Sequence, residues 1–197
     1  MKTMKVILSV VSVLALISLL PASAQEKGAA DQKLMETWMK YATPAEGHQF
    51  LQKMVGEWDI VSKMWEKPGQ EPTITKGPGK GKMIMGGRYL KLSYQGTMMG
   101  MPFEGMGIHA YDNHSKKYIS IWIDNMGTGI MVSKGTLDKT GSGLTQFGVV
   151  DDIFTGKKVK AKTVTTLINA DKWLMEMYMI SPQGEFKSLE VTHTRKK

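Results

Sequence analysis

Hydrophobic positions recur at helical spacing only in the first part of the chain. Between Ala29 and Val55, Leu34, Trp38 and Tyr41 fall at i, i+4 and i+7, with Asp31 placed to cap the helix or complement its dipole. Pro44 opens a second short segment, PAEGHQFLQKMV, in which Phe50, Leu51, Met54 and Val55 make one face. Gly56 ends it, and no convincing helix follows. The pattern becomes strand and turn at the spacing of roughly 8–12 residues expected of a sandwich or barrel. Strands are predicted at about 57–66, 79–86, 88–96, 103–111, 117–124, 129–137, 143–150, 157–168, 172–180 and 185–195. Turn residues separate most of them, including Gly86-Gly87, Asp112-Asn113, Asn125 to Gly127, Asp138 to Gly143, Asn169 to Asp171, and Pro182 with Gly184.

Consecutive antiparallel strands in such number leave two open edges unless the sheet closes on itself, so the fold class is an all-β antiparallel barrel of about ten strands with a short N-terminal helical segment. The loosest stretch, KPGQEPTITKGPGKGK (67–82), reads as a mobile hairpin.

The N-terminus changes the picture. Lys2 and Lys5 precede an uncharged apolar run from Val6 to Leu20, and Ala22-Ser23-Ala24 follows as an A-x-A site. This is the layout of a secretory signal peptide, 1–24, cleaved after Ala24, which leaves a helical segment 25–43 and a barrel domain 44–197 in the periplasm or secreted. The apolar run is shorter than the ~20 residues a membrane-spanning helix needs. With no cysteine there is neither a lipid-attachment site nor a disulfide framework, so an exported chain must stand on its hydrophobic core. The formal net charge is +8, and removing Lys2 and Lys5 from the basic count leaves +6. For an exported protein that excess points to anionic membrane surfaces rather than nucleic acid, or simply to solubility.

At HQFLQKMVGEWDIVSKMW (48–65) a short amphipathic helix leads into Gly56-x-Trp58 at the start of the first strand. This resembles the entry to calycin barrels such as the lipocalins. Together with GGRYL (86–90), GMGIHAYDNHSKKYISIWID (105–124) and THTR (192–195), the order and spacing over about 44–195 resemble a bacterial domain-of-unknown-function family, the one numbered 1579. The resemblance implies a calycin-like barrel and no agreed activity. In lipocalins the Trp of the first strand packs under the barrel against an Arg near the end of the last. Trp58 and Arg195 occupy those positions, a closure in which a guanidinium over an indole contributes ~0.5–2 kcal/mol. The alternative is that Arg195 reads an anionic group inside the cavity.

The chain holds 17 methionines. Met175, Met177 and Met179 alternate on one strand, as do Met83 and Met85, at ~6.6 Å spacing that suits a lining better than a metal site. TMMGMPFEGMG (97–107) differs, because its glycines and Pro102 suggest a loop in which sulfurs converge. Met98, Met99, Met101 and Met106 are therefore an alternative Cu(I) site, with a hydrophobic loop at the barrel mouth as the simpler reading. His114 falls in a turn, and His48 in a capping or closing position. His109 and His193 fall on strands, where an inward pair would bind haem or anchor a ligand, or serve as hydrogen-bonded core residues. Lys158, Lys160 and Lys162 alternate on one strand as a solvated outer face.

Chemical motifs are mostly missing. GPGKGK has the wrong glycine spacing for a phosphate loop, and there is no H-E-x-x-H, G-x-S-x-G or calcium-loop pattern. The expectation is therefore non-catalytic binding of a small apolar or amphipathic molecule, without a cofactor, against Met64, His109, Trp122, Met177 and His193.

Overall fold

The computed structural model describes residues 22–153 and 155–197. Most of the expected leader, 1–21, lies outside the described residues, and Ala22 to Ala24 begin the first helix. That helix, α1 (Ala22–Ala42), belongs to a unit ending at Thr43, and its Leu34, Met35 and Trp38 are exposed. A second unit, Pro44–Lys197, holds α2 (Glu46–Gln52) and every strand.

The ten strands are β1 (Gly56–Met64), β2 (Thr73–Ile84), β3 (Tyr89–Met98), β4 (Met101–Asp112), β5 (Lys117–Asp124), β6 (Met131–Leu137), β7 (Gly143–Asp152), β8 (Lys157–Asn169), β9 (Lys172–Ser181) and β10 (Gly184–Arg195). Each pairs antiparallel with its sequence neighbours, and β1 pairs with β10 from Trp58↔Arg195 to Met64↔Leu189, so the sheet is a closed up-and-down barrel. Closure removes the open edges that a flat sheet of this length would expose.

Two ladders stop short of the mouth. β2 pairs with β3 only from Gly79↔Tyr94 to Ile84↔Tyr89, while its first half pairs with β1 alone. Pro78, which has no N–H to donate, stands where that ladder ends. On the far side, β6 and β7 pair from Ser133↔Gly148 to Leu137↔Leu144, and Val149–Asp152 turn to β8 alone.

These strands correct three expectations. The 67–82 stretch is not a loose hairpin throughout, because β2 begins at Thr73 and GPGKGK lies inside it. Met85 lies beyond β2 in the turn, with φ 49° and 70% exposure, not on an alternating strand face. TMMGMPFEGMG is a tight β-hairpin rather than a loop: Met98 pairs with Met101, and Met99 and Gly100 turn the chain at φ 51° and 78°.

The base is closed by packing. α2 and the turn after it put Phe50, Leu51 and Met54 into the barrel end, each at most 3% exposed and contributing roughly 1.5–3 kcal/mol over exposure. Tyr118 meets Phe50 edge-on at 5.5 Å and donates its hydroxyl to Gly47 O at 2.9 Å. His48 Nδ1 accepts from the Ala45 N–H at 3.0 Å, tying down the start of α2.

Trp58, 1% exposed, donates its indole N–H to Met54 O at 3.0 Å. The Arg195 guanidinium lies over its ring at 4.3 Å. Arg195 also donates to Val55 O, Ala170 O and Asp171, joining the two ends of the barrel unit. Gly56 is needed beneath it: its φ is +134°, and Arg195 Nη1 occupies the space a Cβ would take.

Candidate ligand-binding cavity

Alternating positions on the strands point inward above this floor and line a cavity of about 530 Å³ that opens at the end opposite α2. That volume lies within the range of drug-sized ligand pockets. Its two walls differ in chemistry. Ile60 and Met64 of β1, Met175 and Met177 of β9, and Leu189 and Val191 of β10 make an apolar wall. Opposite, His109, Ser120, Ser133, Gln146, Thr163 and Thr165 bring polar groups inward from β4 to β8.

The polar wall is organised by one hydrogen-bonded chain. His109 and Ser120 face each other across β4 and β5, and their Nδ1 and Oγ are 2.8 Å apart. Ser120 Oγ donates to Gln146 Oε1 at 2.9 Å, so it accepts from His109 Nδ1–H, and the imidazole carries its proton on Nδ1. Burial pushes the His109 pKa down to about 4, leaving the ring neutral at pH 7. Gln146 is 2% exposed, and its Nε2 has no protein partner among the described residues. The Trp173 indole N–H, also on the cavity, likewise has none.

Local sequence makes room for the rings. A Cβ at Gly107 would stand 2.7 Å from His109 Nε2, and one at Gly105 would stand 2.6 Å from the Trp122 ring. Trp122 donates to Asp124 at 2.7 Å and packs against Tyr94 at 5.5 Å.

Four of the expected contact residues, Met64, His109, Trp122 and Met177, line this cavity. His193 does not. It lies one layer lower, 1% exposed, stacked on Trp173 with planes 10° apart, and its Nε2 is 3.0 Å from the Tyr94 hydroxyl. Burial lowers its pKa to about 3 and raises that of Tyr94, so both stay neutral. Trp58, Trp173, His193 and Tyr94 thus form an aromatic floor between the base and the cavity, with Trp173 stacked on His193 and the other contacts edge-to-face.

Of the four methionines of the hairpin, Met98 and Met101 are cross-strand partners on one face and Met106 is set apart from them. Met98 lines the cavity and Met101 stands opposite it at the rim, 50% exposed. Met99 is at the tip, 78% exposed. Met106 lies five residues along β4 from Met101, ~17 Å away by strand rise and on the other face. The hairpin register thus separates Met106 from the other three methionines.

Sequence reasoning passed over Ser120 and Gln146. The available signal was a polar residue at an inward position of a strand, as Gln146 is between Leu144 and Gly148.

The family described as "Protein of unknown function (DUF1579)" matches residues 43–195. The chain belongs to this family. No curated protein matches this DUF1579 chain. Its fold is similar to the crystal structure of Rv2717c from M. tuberculosis, with a TM-score of 0.56 at 15% identity, covering 79% of this chain and 100% of that one. The redesigned β-barrels b11L5F_LGL and mFAP0, the latter bound to DFHBI, align with TM-scores of 0.40 and 0.39 at 14% and 12% identity. They cover 75% and 73% of this DUF1579 chain and 95% and 100% of their own.

Proposed function

We propose that this protein is an exported, non-catalytic binder that takes a small apolar or amphipathic molecule into its barrel. One observation carries the reading: a cavity of about 530 Å³, closed below by packed aromatic rings and open above, with methionine and aliphatic side chains along one wall. Methionine suits such a wall because its unbranched, polarizable side chain adapts to the shape of its partner. The polar wall favours recognition over acyl transfer. Ser120 is hydrogen-bonded on both sides, and among the described residues no carboxylate orients His109 as a base. Proximity to an anionic membrane surface, from which an amphipathic molecule is taken up, fits the charge of +6 left once Lys2 and Lys5 are removed with the leader.

Native mass spectrometry of the protein, purified from the exported fraction without refolding, tests the reading. The expected spectrum carries an added organic mass that disappears in Ser133→Trp, which fills the cavity. A bare mass, together with no shift in melting temperature across a panel of neutral and charged amphiphiles, would overturn it.

A further inference from the structure

The polar wall goes further than a general preference for amphipathic molecules. We infer that the deep end of the cavity is a recognition site for a neutral, amide-type head group, held between His109 and Gln146. This inference rests on the barrel being a small-molecule binder and specifies what it selects.

The geometry supplies an acceptor at His109 and unpaired donors at Gln146 and, on the floor, at Trp173. With Nδ1–H committed to Ser120, His109 keeps a lone pair on Nε2, for which the described residues provide no partner. Gln146 spends Oε1 on Ser120 and keeps both N–H groups of Nε2 unpaired in a buried setting. A buried donor left without a partner keeps its desolvation penalty uncompensated, so a ligand carbonyl that accepts from Gln146 relieves an existing cost. An N–H on the same ligand completes the match at His109 Nε2. Turning the Gln146 amide over and reversing the Ser120 and His109 protons exchanges the roles of His109 and Gln146, yet the pair still turns a donor and an acceptor to the ligand. An amide, carrying both a carbonyl and an N–H, fits either sense. A group that only accepts or only donates fits half of each.

Charge selects against the alternatives. The charged side chains lining the cavity are Lys76, Asp124 and Asp151, all toward the mouth ends of their strands. Asp124 is engaged by the Trp122 indole and the Met126 N–H, and Asp151 by Lys158. Among the described residues no cation lines the deep end to neutralise a carboxylate, and no anion an ammonium, so either would be buried unpaired. The basic excess of the chain lies outside this site. Along the remaining length, Met175, Met177, Leu189 and Val191 receive the apolar part of the molecule.

The test compares octanamide, octanoate and octylamine at pH 7.5 by displacement of the neutral fluorescent probe N-phenyl-1-naphthylamine from the full protein. Octanamide is expected to bind at least tenfold more tightly than either charged analogue. Gln146→Leu, close in volume and without the donor, is expected to cut octanamide affinity five- to tenfold and to lower the ratio of octanamide to octanoate affinity, with the naphthylamine Kd measured separately on the variant. Ser120→Ala, which breaks the chain between His109 and Gln146, should narrow the same discrimination while the melting temperature confirms a folded barrel. If the naphthylamine binds but octanoate equals or exceeds octanamide, or neither variant changes their ratio, this inference fails and the general binding reading stands. Absence of all binding overturns both.

Discussion

The base and the mouth of this barrel are built on opposite rules. At the base, each large side chain has a partner on another element: Trp58 lies between Arg195 and Trp173, Phe50 meets Tyr118, and His193 is held between Trp173 and Tyr94. At the mouth, two ladders end early, and Ile74, Met99, Met101, Ile130 and Ile153 are exposed. Stability is therefore concentrated at one end, and the other is free to adapt to what enters. Substitutions at the two ends should separate into those that change folding and those that do not.

The largest effect is expected at Trp58. Trp58→Ala leaves a void, strips Arg195 of its ring and should cost about 3–5 kcal/mol in a urea titration. A loss below about 1 kcal/mol would mean that the base is not where stability resides. Acid should find the same end. His193 and His109 have folded pKa values depressed to about 3 and about 4, below the ordinary 6.5. The unfolded chain therefore takes up protons first as pH falls. Their contribution is complete above about pH 6.5 and is lost as pH drops toward the folded values, at about 1.4 kcal/mol per pH unit for each. His193→Gln should thus flatten the decline between pH 6.5 and 5 by about 2 kcal/mol relative to the parent, and an unchanged slope would show that His193 titrates normally.

Arg195→Lys keeps the charge but loses the planar stack and the fork of donors to Val55 and Ala170, for an expected cost of about 1–2 kcal/mol. At the mouth, Met99→Asn places a residue tolerant of positive φ in the hairpin turn and should shift stability by no more than about 0.5 kcal/mol in either direction. A large loss there would erase the contrast between the two ends.

Much of the fold was legible because strand period and turn chemistry agree along most of the chain. Between Tyr118 and Asp124 they do not decide which side faces in. Tyr118, Ser120 and Trp122 point into the barrel while Ile123 stands outside, joining Val132 and Phe147 in an exposed apolar face across β5 to β7. A strand apolar on both sides carries no inside-out signal of its own, and its neighbours settle the matter. The site was legible only in part for a related reason. His109 was recognisable by residue type, but Ser120 and Gln146 acquire meaning through hydrogen bonds across three strands. The methionine hairpin misled because glycine and proline suggest a loop, whereas Met99 itself adopts the left-handed conformation that a two-residue turn requires.

The seam between β1 and β10 also bears on time. Nine of the ladders join strands adjacent in sequence and close over short turns, whereas Arg195 reaches Val55 across 140 residues. Each doubling of a loop costs about 0.6 kcal/mol in closure entropy, so this seam forms at a disadvantage of about 2.5 kcal/mol relative to a short hairpin. Contacts that form last leave the folding rate nearly untouched and slow the reverse step. The Trp58–Arg195 closure therefore acts mainly on how long the assembled barrel persists, rather than on how fast it assembles.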